Sequence, residues 1–142
     1  MSIAALDLGR RRIGVAVTDA AAIGAHPVGV VERRSMAQDL AAIAAMLRDR
    51  EVTTIVVGLP LNMDGSEGPA ARAARLFADR MAAALKVGVE MFDERLTSFE
   101  AEERLKGMPV KKGARKPAID AIAATVILEG WMQSHTGKIS RQ

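Results

Sequence analysis

Cysteine and tyrosine are both absent from the 142 residues, and the remaining aromatic complement is three Phe and one Trp. The lack of cysteine excludes disulfides, thiolate zinc centres and a cysteine nucleophile, and is compatible with a reducing compartment. So few rings argue against a surface that grips single-stranded bases by stacking. The core must come from Ala, Val, Ile, Leu and Met, and the eight Met read as core fillers. No apolar run approaches the roughly 20 residues that a bilayer-spanning helix needs. The chain also opens directly into a strand-like run, without a basic-then-apolar leader pattern. A cytoplasmic location, with no membrane association, is the expectation.

What is present fits one domain spanning 1–142: the chain is long enough to bury a core, and 49% of it is hydrophobic. Twenty Lys and Arg against seventeen Asp and Glu leave a net charge of only +3. The distribution says more than the sum. Arg10, Arg11 and Arg12 are consecutive, and Lys106, Lys111, Lys112, Arg115 and Lys116 crowd a segment that contains no acid. Clustered positive charge is the footprint of a polyanionic partner.

Hydrophobic periodicity predicts strands at 3–9 and 12–18, joined as a hairpin, and a third strand at 27–33. Ser35, with Gln38 three residues on, is a capping box that opens a helix to about 50. Residues 53–58 (Thr-Thr-Ile-Val-Val-Gly) suit a parallel strand buried on both faces. A loop over 59–68 follows, then a helix from Pro69 to about 85 and a strand at 87–92. Thr97 and Glu100 cap a short helix to about 106. Pro117 opens a last helix to about 133, with a frayed polar tail from Ser134. The order, β-β-β-α-β-α-β-α-α, predicts an α/β fold in which helices flank a mixed five-stranded sheet. It is the element order of the ribonuclease H-like fold.

Three acids interrupt apolar elements. An ionised carboxylate there is unfavourable unless a cation compensates it. Asp7 lies in the first strand and shares a face with the small residues Ala5 and Gly9; the structural alternative is an ion pair with Arg10, Arg11 or Arg12. Asp93 and Glu94 end the fifth strand, where open α/β sheets bind ligands. Neighbouring residues face opposite ways, so Glu94 is assigned to the site and Asp93 to fixing the turn. Asp120 falls in the first turn of the last helix, where the macrodipole alone would favour an acid. Together, oxygen ligands from three separate elements suit magnesium or manganese acting on a phosphodiester. Asn62, Asp64, Ser66 and Glu67 read equally as a metal or phosphate loop and as a Gly-punctuated turn. His26 reads as a turn residue, and His135 as part of the tail.

The segment 6–19, the stretch Val57-Gly58-Leu59-Pro60-Leu61-Asn62-Met63-Asp64-Gly65-Ser66-Glu67-Gly68, the motif Asp93-Glu94-Arg95-Leu96-Thr97 and the segment 120–124 resemble, in order, the motifs of the YqgF (RuvX) family. That family has a ribonuclease H-like fold related to the RuvC Holliday-junction resolvases. The resemblance implies a metal-dependent nuclease that matures the 5′ end of pre-16S rRNA in ribosome biogenesis. It carries the catalytic and metal-binding roles onto Asp7, Glu94 and Asp120, with one or two Mg2+ or Mn2+ ions. Arg10, Arg11, Arg12, Lys111, Lys112, Arg115 and Lys116 would then hold the nucleic-acid backbone, and Arg95 would contact the scissile phosphate or orient Glu94. The wider fold often carries an acid at the end of the fourth strand. Here that stretch is Val57-Gly58-Leu59-Pro60, so Glu94 must substitute from the next strand.

Three other readings stay open. The substrate could be a four-way DNA junction, which calls for a symmetric homodimer rather than a monomer. Asp7-Leu8-Gly9 with Val17-Thr18-Asp19 resembles a phosphate loop of actin-type ATPases, which would make the chain a nucleotide-binding module. The chain could also be a non-catalytic RNA-binding ribosome-assembly factor whose acids are structural.

Overall fold

The computed structural model describes residues 2–19, 24–95, 103, 104, 106 and 115–140, with side chains of the last helix described over 119–135. The expected helix at 97–106 and the basic loop containing Lys111 and Lys112 lie outside the described residues, apart from 103, 104 and 106.

Five strands, β1 (Ser2–Leu8), β2 (Arg12–Thr18), β3 (Ala25–Glu32), β4 (Val52–Leu59) and β5 (Gly88–Asp93), form one sheet in the order β3-β2-β1-β4-β5. The β1-β2 and β2-β3 pairs are antiparallel, and β1-β4 and β4-β5 are parallel. The C-terminal ends of β1, β4 and β5 therefore share one edge of the sheet. Pro27 is tolerated because β3 is an edge strand, where a missing N–H breaks no inner ladder. His26 belongs to β3, paired with Val17, rather than to a turn.

Helices α1 (Met36–Leu47) and α2 (Pro69–Leu85) cover one face, and α3 (Arg115–Ser140) covers the other. Ser35 caps α1 by accepting from the Gln38 N–H at 3.2 Å, as the capping box predicts. That helix ends three residues earlier than expected, at Leu47, and a turn over 48–51, with Glu51 at φ 51°, leads into β4. Helix α3 is longer than expected at both ends. It starts at Arg115, so Asp120 sits in its second turn rather than its first, beyond the strongest reach of the dipole. It also runs on to Ser140, so His135 is helical: its ring stacks on Trp131 at 4.1 Å between centroids. Among the described residues no helix is long and apolar enough to cross a membrane.

Strand alternation sorts the two faces by size. Toward α1 and α2 point Leu6, Ile13, Val15, Val17, Ile55 and Val57, packed with Ile43, Phe77 and Met81. Toward α3 point Ala5, Ala16 and Val56, packed with Ala124, Ile127, Leu128 and Trp131. The same alternation puts Asp7, Gly14 and Gly58 on the α3 face.

Candidate active site

Asp7 stands on the central strand near the shared edge, directly opposite Gly14 of β2. Helix α3 crosses here. The Asp120 backbone lies so close over Gly14 that a methyl group at position 14 would collide with the Asp120 carbonyl. Small residues on this face thus set the depth at which α3 docks, and that depth puts Asp120 beside Asp7. The Asp120 Oδ2 accepts a hydrogen bond from Arg12 Nε at 3.0 Å, with both side chains largely covered.

Glu94 follows the last residue of β5, and its N–H donates to the Leu59 carbonyl at 3.3 Å. Its carboxyl group reaches back over Gly58 to Asp7, with Oε2 buried. Asp7 and Glu94 share a carboxyl–carboxylate hydrogen bond. Burial, first of all, raises Asp7 to about 6; the Glu94 hydrogen bond opposes that rise and the charge of Asp120 adds to it. Burial also pushes Glu94 up to about 8, reinforced by the charge of Asp7, their hydrogen bond and the charge of Asp93. Near neutral pH the pair therefore retains a proton, as two close buried carboxyls do.

Asp93 takes the turn role expected of it. Its Oδ1 accepts from the Arg95 N–H at 3.1 Å, and the Arg95 side chain closes on the same carboxylate at 2.7 Å. Arg95 also donates to the Met63 carbonyl at 3.4 Å, so it braces the turn carrying Glu94 and the loop beside it. That loop is a self-contained turn. Asp64 accepts from the Ser66 N–H and hydroxyl at 2.9 and 2.6 Å, and Glu67 is bidentate with Arg75. Its acids are occupied within the loop and by Arg75 of α2.

The arginines divide. Arg12 turns inward to Asp120, while Arg10 and Arg11 are exposed on the β1–β2 turn. Arg33 joins them: its N–H donates to the Arg11 carbonyl at 2.8 Å and its guanidinium to the Gly9 carbonyl at 2.8 Å. Arg34 is exposed next to it. Sequence reasoning missed Arg33 and Arg34 because only the β2–β3 register, with Arg12 opposite Glu32, brings them to this edge. Arg115 and Lys116 open α3. Thr18 lies at the far end of β2, accepting from the Ile3 N–H at 3.0 Å. Val17-Thr18-Asp19 is thus remote from Asp7 and does not complete a phosphate loop with it.

Among the described residues no three carboxylate or imidazole groups stand as a ready-made metal cage. Asp7 and Glu94 are together, and Asp120 is adjacent but drawn to Arg12. Two carboxylates of hard oxygen donors still suit magnesium, which binds through one or two carboxylates plus substrate phosphate rather than through an all-protein cage.

A family model described as RuvX, Holliday junction resolvase, matches residues 1–134. The chain belongs to the RuvX family. A protein of Anaeromyxobacter dehalogenans (strain 2CP-C) named "Putative pre-16S rRNA nuclease" is 59% identical over 127 residues, covering 89% of this chain and 93% of that one. A Myxococcus xanthus (strain DK1622) protein of the same name is 48% identical over 130 residues, covering 92% and 86%. Among solved structures, Thermus thermophilus RuvC in complex with a Holliday junction superposes with a TM-score of 0.54 at 15% identity, covering 94% and 95%. The Fowlpox virus resolvase bound to Holliday junction DNA gives 0.57 at 10%, covering 94% and 98%. At such identities the structures speak for the fold, which is ribonuclease H-like as expected, and membership places the chain in a nuclease family.

Proposed function

We propose that this RuvX protein is a divalent-metal-dependent phosphodiesterase that processes the 5′ end of precursor small-subunit rRNA in the cytoplasm. The observation that carries the reading is the buried Asp7–Glu94 pair with Asp120 beside it. Two buried carboxyls in contact destabilise a fold that uses them only structurally. Strongly shifted acids at the C-terminal edge of a sheet mark a reactive site. This favours a nuclease over a non-catalytic assembly factor. The names of the bacterial relatives favour rRNA over a DNA junction.

When bound, magnesium or manganese supplies Lewis-acid neutralisation of charge on the phosphate. Asp7 and Glu94 would offer it their carboxylate oxygens, which requires both groups to be ionised. Arg12 holds Asp120 at the rim of the pair. The exposed guanidinium groups of Arg10, Arg11 and Arg34, with Arg33 among them, give the backbone phosphates a cationic bank on the β3 side. Arg95 keeps the Glu94 turn rigid through Asp93.

Manganese-dependent cleavage of a pre-16S rRNA fragment and of a four-way DNA junction, wild type beside Asp7→Asn, tests the reading. RNA cleavage lost in the variant is the expected result. Junction cleavage instead, favoured by the family's description as a resolvase, would move the function to recombination. Equal activity of wild type and variant would reject the site.

A further inference from the structure

Gly58 has no backbone reason to be glycine. Its φ lies outside the positive range that glycine favours, and it sits inside a parallel strand, where glycine weakens the ladder. The reason is space. In the ladder Leu6 pairs with Val57, so Gly58 comes one residue further, beside Asp7; on its other side it pairs with Phe92. A methyl group at position 58 would collide with Glu94 Oε2 and approach Ile127 Cδ1 to 2.7 Å. We propose that Gly58 is a positioning residue for the metal site, its missing side chain being the slot that holds the Glu94 carboxylate against Asp7.

The slot is specific to the acid. The Glu94 backbone is tied to Leu59 by its N–H, and Asp93 and Arg95 fix the turn around it. A side chain at 58 therefore cannot be relieved by moving the backbone of residue 94. The carboxylate must instead leave the space above Gly58 in which it lies. Position 14 differs: there a methyl meets α3 backbone, which cannot swing. Gly14 thus sets the docking of a helix, and Gly58 the placement of one functional group. Both atoms that a methyl at 58 would meet are ends of flexible side chains, so Gly58→Ala is expected to fold.

This inference rests on the metal-site reading above, and the test separates the two. Manganese affinity is measured by electron paramagnetic resonance, with thermal melting in chelator alongside, for wild type, Gly58→Ala, Ile127→Val and Ile127→Val/Gly58→Ala. Ile127→Val removes the Cδ1 atom, leaving Glu94 as the remaining close contact of a methyl at 58. The expected result is wild-type affinity in Ile127→Val and an affinity about 10–100-fold lower once Gly58→Ala is added, the range seen when a ligand loses its support. The double variant should melt cooperatively, which separates a misplaced ligand from an unfolded protein. Undiminished manganese affinity in both variants that carry Gly58→Ala would overturn the inference and leave the metal site standing. Absence of manganese binding by the wild type would overturn both.

Discussion

The two faces of the sheet follow the same strand alternation to opposite ends. The α1/α2 face is filled with Ile, Val, Leu, Phe and Met and holds no acid of the site. The α3 face is built on Ala and Gly around Asp7. Large side chains hold helices at a distance and stabilise by area buried. Small ones let a helix and a loop acid approach the sheet until carboxyl groups meet. One face stabilises the fold, and the other uses part of that stability to hold two acids in contact. Substitutions should therefore separate stability from activity according to the face they touch.

Asp7→Asn gives the largest separation expected. Cleavage should fall on the order of 10³-fold, the scale at which loss of a key electrostatic group acts. The metal-free variant should melt no lower than wild type at pH 8, since a buried charge has been removed. A single-turnover assay with a melt on the same preparation checks both. Phe77→Ala should do the reverse. Removing a side chain that is 1% exposed on the other face should destabilise by about 3–5 kcal/mol, with manganese affinity per folded molecule unchanged. Denaturant titration beside manganese binding would show it, and a parallel fall in affinity would erase the distinction between faces.

Gly14→Ala tests where the faces stop being independent. The added methyl meets the Asp120 carbonyl, so α3 must lift from β2 or the strand must bend. Overpacking of this kind is expected to destabilise by about 1–3 kcal/mol. Here it should also weaken manganese binding, because the charge of Asp120, which acts on Asp7, moves with that helix. Denaturation and manganese titration should both change, unlike the affinity-only effect expected at Gly58.

Much of this contrast is legible in the chain. The alternation that buries Leu6 also turns Asp7 to the small-residue face, and five short apolar runs bounded by turns are enough to predict the five strands. Glu94 is readable too, because neighbours in an extended chain diverge. What sequence hides is who meets whom across the fold. Arg12 looks like a phosphate contact beside Arg10 and Arg11, yet its partner is Asp120, 108 residues away. Arg33 reaches the Gly9 turn only through β-pairing. Gly14 and Gly58 look like weak points in strands until α3 and Glu94 occupy the space above them. Helix α3 begins at Arg115, ahead of Pro117, because proline is tolerated within a first turn.

The smallest effect expected is the pH dependence contributed by the buried pair on the α3 face. The folded, metal-free protein holds Asp7 raised to about 6 and Glu94 to about 8, both chiefly by burial. The unfolded chain releases the same protons near pH 4. Between about pH 4 and pH 8 this pair thus binds more protons in the folded state than in the unfolded one, and its contribution to stability falls as pH rises through that window. Glu94→Gln keeps the shape and removes the second proton-binding carboxyl. In chelator the variant and wild type should melt together near pH 5, and the variant should melt higher by about 5 °C at pH 8. Manganese added at pH 8 should reverse that order, because the cation takes the proton's place only where both carboxylates remain. A difference between the two proteins that stays constant with pH would mean that Asp7 and Glu94 titrate as separate surface acids, and the α3 face would lose its claim to be the reactive one.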